Sequence, residues 1–211
     1  NVAGFFTKWL QDLQDAQTET GSYPPVAPDP LKWDLTDGGP AWADAGVIIP
    51  WKMYLCYGDT AILEQQYDSM RRYIQFLQQT SREGRRCYHD YEGWRGFGDW
   101  LALDGSEGRE GRTSKELIGT AFYAHSTHLM SKIATILGKP DDAQAFDALS
   151  IDAKRAFQNA FVNADGTIVD ETQTGYVLAL HFDLLPEELR TAAADRLATL
   201  IRENGDHLST G

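Results

Sequence analysis

The chain has 211 residues, 42% of them hydrophobic, and carries a formal net charge of −12 with a sequence pI of about 4.7. This length fits one domain, or a large part of a bigger one, and is enough to bury a sizeable core. Because so acidic a chain repels phosphate groups, we expect no nucleic-acid partner. No apolar run reaches the roughly 20 residues of a bilayer span, so the sequence predicts a soluble protein without membrane contact. The sequence leaves the compartment undecided, because a periplasmic, a secreted and a cytoplasmic location are all compatible with it.

The helical period of apolar residues dominates, and runs with the period of two that is typical of strands are nearly absent. Turn and capping signals separate the helices, since Gly58-Asp59 and Gly138-Lys139-Pro140 each end one helix and begin the next, and Pro186 fits a first turn. In chain order, the predicted helices span about residues 2–17, 40–57, 59–80, 114–138, 140–162, 172–184 and 186–203.

The predicted helices alternate in character along the chain. The second, fourth and sixth are apolar on most sides, whereas the third, fifth and seventh have an apolar stripe and a charged face. This alternation predicts an inner and an outer layer of helix hairpins, as in an α/α toroid or an open solenoid. No repeat of fixed period is present, which favours the toroid. The predicted fold class is therefore all-α.

Both ends of the chain and its two cysteines give further expectations. The chain has no initiator Met, begins directly with helical periodicity, and finishes in the loop-like RENGDHLSTG. We therefore expect residues 1–211 to be part of one domain that continues beyond both ends. Cys56 and Cys87 are too few for a disulfide framework, so we expect them to be reduced and packed as small apolar groups.

Asp44 is an acid inside the otherwise apolar segment GPAWADAGVIIPWKMYLCYG, residues 39–58. On a helix it shares one face with Ile48 and Trp51. A buried carboxylate is costly unless it is hydrogen-bonded, protonated or turned toward a wet cavity. Two interpretations stay open: a carboxylate at the mouth of a cavity between inner helices, or one that only caps or braces a neighbouring loop.

Two long irregular stretches, residues 18–40 and 83–112, interrupt the helices, and loops of this length are uncommon unless they are functional. In the second stretch, Trp94 and Trp100 lie close in sequence to Asp99. Proteins bind sugars by stacking aromatic faces on C–H groups while acids accept hydrogen bonds from hydroxyls. The alternatives are aromatic rings that only pack on the domain, or a calcium loop, although the acids match no EF-hand spacing. Those acids are Asp90, Glu92, Asp99 and Asp104.

Several other polar side chains are weaker candidates. His125 and His128 have a spacing that can bind metal, but a third ligand is not near, so we expect no metal and no other cofactor. His207 lies in a loop where it can contact substrate. Gln173 and Tyr176 begin the predicted sixth helix, where their polar ends either face the cavity or pack in the core.

Five segments, in order, resemble the catalytic (α/α)6 barrel of the bacterial and fungal α-L-rhamnosidases, glycoside hydrolase family seventy-eight. The resemblance covers the whole chain and implies a barrel of six inner and six outer helices, of which this chain supplies somewhat more than half. The segments are VAGFFTKWLQDLQDAQ, GGPAWADAGVIIPWKMYLCYGD, GFGDWL, QTGYVLAL and NGDHLSTG.

The resemblance implies hydrolysis of terminal α-linked rhamnose with inversion of configuration. The implied substrate is a rhamnose-containing oligosaccharide or glycoside, and the implied partners are the remaining domains of the parent chain. Both catalytic Glu residues of the family fall outside the matched segments, so the catalytic residues stay unknown and the isolated chain is expected to be inactive. By motif, Asp44 matches a carboxylate that binds rhamnose hydroxyls, and Trp100 matches a tryptophan that lines the sugar subsite. The predicted substrate-binding residues are Asp44, Trp51, Trp94, Asp99, Trp100, Tyr176 and His207.

Three other functions stay open on the sequence alone. The chain is also compatible with a non-catalytic carbohydrate-binding domain, or with a helical scaffold that grips a protein partner. Other α/α-barrel glycosidases and polysaccharide lyases share the same architecture, although the negative charge argues mildly against an acidic polymer as substrate.

Overall fold

The computed structural model describes residues 2–29, 37–86, 96–105 and 110–209. These ranges contain seven α-helices and isolated β-bridges but no strand, which confirms the predicted all-α class. The helices are α1 (Ala3–Asp15), α2 (Ala45–Tyr57), α3 (Ala61–Gln79), α4 (Lys115–Ile136), α5 (Pro140–Phe161), α6 (Gln173–His181) and α7 (Arg190–Glu203), with a 3-10 turn at Glu187–Leu189 before α7.

Three helix hairpins, α2–α3, α4–α5 and α6–α7, follow one another along the chain. Helix α4 contacts both α2 and α6, so these three form the inner layer, while α1 packs against α2 and α3. The inner character of α4 is evident from its burial, because residues 117–121 are all buried and five residues exceed one full turn. The outer helix α5 instead buries a single stripe, composed of Phe146, Ser150, Ala153, Phe157 and Phe161.

Local sequence signals set several helix ends. The left-handed Gly58, with φ of 69°, ends α2 and bonds its N–H to the Tyr54 carbonyl. The Ser114 and Thr172 hydroxyls accept hydrogen bonds from the first-turn amides of α4 and α6, and Pro140 occupies the first turn of α5. These signals are short-range, which explains why the predicted helices agree closely with the structure.

The start of α2 differs from the prediction. The helix begins at Ala45 rather than near residue 40, and residues 40–44 form a turn in which Ala41 has a φ of 71°. Such a left-handed backbone is incompatible with the first turn of a right-handed helix. Asp44 therefore immediately precedes α2 instead of lying inside it.

Tyr23 anchors the first irregular stretch to the inner layer. Its side chain is fully buried, and its hydroxyl shares a hydrogen bond of 2.7 Å with the Ser69 hydroxyl of α3. A Cβ atom at Gly46 would overlap the Tyr23 ring, so glycine is needed for the ring to lie directly against the backbone of α2. This contact fixes the chain before the Asp37–Asp44 segment.

The expectation that Cys56 packs in the core is wrong. It is a free thiol in the last turn of α2 and is exposed, as are its neighbours Leu55 and Tyr57. Cys87 lies outside the described residues. Among the described helices, none is long and apolar enough to cross a membrane.

Candidate functional site

A cavity of about 400 Å³ lies where the N-terminal ends of the three inner helices meet the second irregular stretch. We call it the inner-helix cavity. Its volume is within the range of about 300–1,000 Å³ that is usual for small-molecule sites. Its lining residues are Ala41, Trp42, Gly98, Asp99, Trp100, Ile118, Phe122, Thr174, Val177 and Leu178.

Two indole rings border this cavity and share Phe97 as a neighbour. The Trp42 and Phe97 ring centroids lie 4.6 Å apart at 37°, and Phe97 meets Trp100 edge-on at 5.4 Å. Trp42 is 36% exposed, and Trp100 is partly exposed. Aromatic surface therefore remains accessible on the cavity wall, where it can stack on an apolar ligand face.

Asp99 is the acidic side chain of the cavity wall, and it is only 7% exposed. Its Oδ2 accepts a hydrogen bond of 2.6 Å from the Thr174 hydroxyl of α6 and a longer one of 3.4 Å from Thr113. The Thr113 hydroxyl is in turn hydrogen-bonded to that of Thr172 at 2.7 Å. These contacts hold the carboxylate at the N-terminus of α6, where the helix dipole favours negative charge.

Asp44 does not line the inner-helix cavity, and its contacts favour the second of the two interpretations, a carboxylate that braces a neighbouring loop. It is 1% exposed, and both carboxylate oxygens are bonded by protein groups. Oδ1 accepts from the Ser126 hydroxyl of α4 at 2.6 Å, and Oδ2 accepts from the Ala41 amide at 2.9 Å. Burial raises the pKa of the Asp44 carboxyl, while the two hydrogen bonds and nearby Arg86 oppose that rise. The carboxylate thus braces the turn before α2.

Three other predicted residues also lie away from the cavity lining. The Trp51 ring contacts Tyr54 within α2, and the Lys132 ammonium lies 5.9 Å from its centroid. Tyr176 is fully buried, with its hydroxyl accepting from the Ile168 amide and donating to Glu171. His207 is exposed, and its hydrogen bonds to the fold come from its backbone: the carbonyl accepts from the Gln173 and Asn204 side chains, and the N–H donates to the Asn204 carbonyl.

Of the seven predicted residues, Asp99 and Trp100 line the cavity, and Trp94 lies outside the described residues. Trp42 was missed, although it lies only two residues before Asp44. It falls within the predicted helix over residues 40–57, and only the observed turn at residues 40–44 directs it to the cavity.

The histidines of α4 occupy an aromatic environment. His125 stacks on Phe182 with centroids 3.9 Å apart, and burial lowers the pKa of its imidazole to about 4. Burial also lowers the pKa of His128.

Of the four acids considered for a calcium loop, Asp90 and Glu92 lie outside the described residues. Asp99 accepts bonds from threonines, and Asp104 accepts one from the Arg112 amide.

The relatives of the chain identify its family. Residues 1–211 match the family model of the bacterial alpha-L-rhamnosidase 6 hairpin glycosidase domain. The chain belongs to this family. Its resemblance to the rhamnosidases and its helical-hairpin architecture are therefore confirmed.

Individual rhamnosidases show the same relationship. The alpha-L-rhamnosidase of Streptomyces avermitilis is 42% identical over 209 residues, which is 99% of this chain and 19% of that protein. A crystal structure of the Streptomyces avermitilis enzyme, complexed with L-rhamnose, superposes with a TM-score of 0.88 at 41% identity over the whole chain. The native enzyme of Aspergillus terreus gives a TM-score of 0.87 at 31% identity and is covered to 24%. The chain thus spans roughly a fifth to a quarter of the rhamnosidases that it matches.

Proposed function

We propose that the full-length protein containing this chain hydrolyses terminal α-L-rhamnosidic linkages, and that the inner-helix cavity binds the rhamnose unit. The observation that carries this proposal is a fixed carboxylate, Asp99, that shares one cavity wall with two indoles at the N-terminal ends of the inner helices, in a chain that matches the rhamnosidase family along its whole length. The cavity volume also suits a monosaccharide.

The cavity chemistry supports recognition of a sugar with both apolar and polar faces. The Trp42 and Trp100 rings present flat apolar surfaces against which the C–H groups of a pyranose ring can stack. Asp99 is held by Thr174 and has the chemistry to accept hydrogen bonds from ring hydroxyls. Leu178, Val177 and Ile118 complete an apolar wall that suits the methyl group of a 6-deoxy sugar.

The hydrolytic step of this proposal is an inverting one. It needs one carboxylic acid that protonates the leaving oxygen and one carboxylate that activates water, roughly 6.5–9.5 Å apart. We place both outside this chain, so that the residues described here orient the sugar as it flattens toward the transition state. We also propose that residues 1–211 are one part of a single α/α barrel that continues beyond both ends, because three hairpins are half of a six-hairpin domain.

Hydrolysis of 4-nitrophenyl α-L-rhamnoside by the full-length protein tests the activity. We expect turnover, and we expect NMR of the first product to show the β-anomer. Asp99→Asn should lower kcat/KM by about tenfold or more, which corresponds to roughly 1.4 kcal/mol. Asp147→Asn makes the same change on an exposed position of outer helix α5 and should leave kcat/KM unaltered. Absence of turnover would overturn the enzymatic proposal, and an α-anomeric first product would overturn inversion.

A sugar-binding role without hydrolysis is the second candidate, because the cavity carries one carboxylate rather than a pair within the described ranges. Titration of the same full-length protein with L-rhamnose separates the two roles. Quenching of tryptophan fluorescence without turnover of the nitrophenyl substrate would favour binding alone. If the chain is only a helical scaffold, we expect neither fluorescence quenching by L-rhamnose nor turnover of the nitrophenyl substrate.

A further inference from the structure

The segment that carries Trp42 to the cavity is a short turn with one buried carboxylate at each end. We call residues 37–44 the Trp42 turn. Asp37 Oδ1 accepts from the Gly39 amide at 2.9 Å, and Asp44 Oδ2 accepts from the Ala41 amide at 2.9 Å. Each acid therefore bonds a backbone N–H of the turn itself, on the two sides of Pro40.

The second oxygen of each carboxylate is bonded to a different part of the fold. Asp37 Oδ2 accepts from Arg86 Nη2 at 2.8 Å, and Asp44 Oδ1 accepts from the Ser126 hydroxyl of α4 at 2.6 Å. Arg86 is itself held, because its Nη1 donates to the Thr80 hydroxyl at the end of α3. The Trp42 turn is thus attached at its Asp44 end to inner helix α4, and at its Asp37 end, through Arg86, to the end of α3.

The backbone of the turn needs this support. Ala41 has a φ of 71°, in the left-handed region that costs an alanine roughly 1–2 kcal/mol. The amide of this same residue is the one that Asp44 bonds, and the next residue is Trp42. Burying two acids and an arginine is costly unless their geometry is well satisfied. Their bonds converge on the turn, so they specify its conformation.

We propose that Asp44 and the Asp37–Arg86 ion pair are positioning residues that act through Trp42, holding its indole at the wall of the inner-helix cavity. They do not contact the sugar. The functional consequence rests on the rhamnose-binding site proposed above, whereas the structural consequence, the placement of the Trp42 ring, does not. The two can therefore be measured separately in the full-length protein.

The structural readout is the accessibility of Trp42 to acrylamide, obtained as the fluorescence difference between each protein and its Trp42→Phe counterpart. Asp44→Ala removes both acceptor oxygens and should raise the quenching constant of Trp42 about twofold or more, as its ring leaves Phe97. Asp44→Asn keeps an acceptor for the Ala41 amide and a polar partner for Ser126, so it should restore most of the protection. Circular dichroism of each variant establishes that the helices are intact.

The functional readout is a double-mutant cycle on the Kd for L-rhamnose. Asp44→Ala should raise Kd by about tenfold in the parent protein, but by less than about twofold when Trp42 is already Phe. An Asp44→Asn protein that loses as much affinity as Asp44→Ala would mean that the charged carboxylate contacts the sugar, and would overturn the proposal.

Additive effects in the cycle, or an unchanged Trp42 quenching constant in Asp44→Ala, would also overturn it. If the parent protein does not bind rhamnose, the proposed function fails. The quenching measurement still decides whether Asp44 positions Trp42.

Discussion

Arg86 donates a hydrogen bond of 2.8 Å to the Asp37 carboxylate, and the two side chains are only 2% and 1% exposed. Asp37 lies near the end of the first irregular stretch, residues 18–40, and Arg86 lies near the start of the second, residues 83–112. The pair therefore joins the borders of the two long irregular stretches and places them together beside the inner helices. Trp42 follows Asp37 and Asp99 follows Arg86 along the chain, so the ion pair links the two segments that supply the aromatic and acidic part of the cavity wall.

Removing one member of this pair should destabilise the fold strongly. Arg86→Met leaves the Asp37 carboxylate buried without its cation, and we expect a loss of about 3–5 kcal/mol of unfolding free energy. Lys154→Met, which breaks an ion pair with Asp183 whose side chains are 35% and 71% exposed, should cost about 1 kcal/mol or less. Urea titration followed by helical circular dichroism measures both. Equal losses in the two variants would contradict a structural role for the buried pair.

Gly46 should be intolerant of even one methyl group. Gly46→Ala directs a Cβ into the Tyr23 ring, which is fixed by its bond to Ser69, and we expect a loss of about 1–3 kcal/mol. Gly4→Ala adds the same group to helix α1 where nothing lies within 4 Å, so it should be neutral or stabilising by about 0.5–1 kcal/mol. Thermal unfolding of the two variants provides the comparison. A stable Gly46→Ala protein would show that Tyr23 can move.

Replacing a tryptophan of the cavity wall should weaken the binding of L-rhamnose more than replacing Trp51 of α2. Trp100→Ala removes an indole of the cavity wall, and we expect at least about tenfold weaker binding of L-rhamnose. Trp51→Ala removes an indole that packs on Tyr54 away from the cavity lining, so affinity should change by less than about twofold. Isothermal titration calorimetry measures both dissociation constants. A larger effect at Trp51 would place the sugar on the other side of α2.

The buried Asp44 carboxyl should make stability depend on pH in a defined direction. Burial raises its folded-state pKa above the ordinary value of 3.8. A group with a raised pKa contributes stability that is present below the unfolded pKa and is lost as pH rises through the folded pKa. Relative to Asp44→Asn, which does not titrate, the parent protein should therefore lose unfolding free energy as the pH rises from the ordinary carboxyl pKa of 3.8 through the raised folded-state pKa.

Urea titrations across that range give the difference curve. Ser126→Ala offers a second test, because the Ser126 bond opposes the rise in the pKa of Asp44. Without it, the decline should be steeper and extend to higher pH. A difference between the parent and Asp44→Asn that stays constant over the range would be inconsistent with a buried, titrating carboxyl at this position.

The helices and their layers follow from local and periodic information. Helix α5 was predicted at 140–162 and spans Pro140–Phe161, because a first-turn proline and a single apolar stripe define it within its own residues. The apolar character of α4 on all sides predicted its inner position in the same way. Asp99 and Trp100 could be proposed for the cavity because aromatic and acidic residues are adjacent in the chain.

Long-range contacts decided the rest. Asp44 is bonded to Ser126, 82 residues away, and that bond together with the left-handed Ala41 moves the start of α2 from residue 40 to residue 45. The same turn brings Trp42 to the cavity and buries Asp44 away from it. Periodicity in sequence reports which side of a helix is apolar. Whether a polar side chain meets protein or a cavity depends on partners that only the folded chain brings within bonding distance.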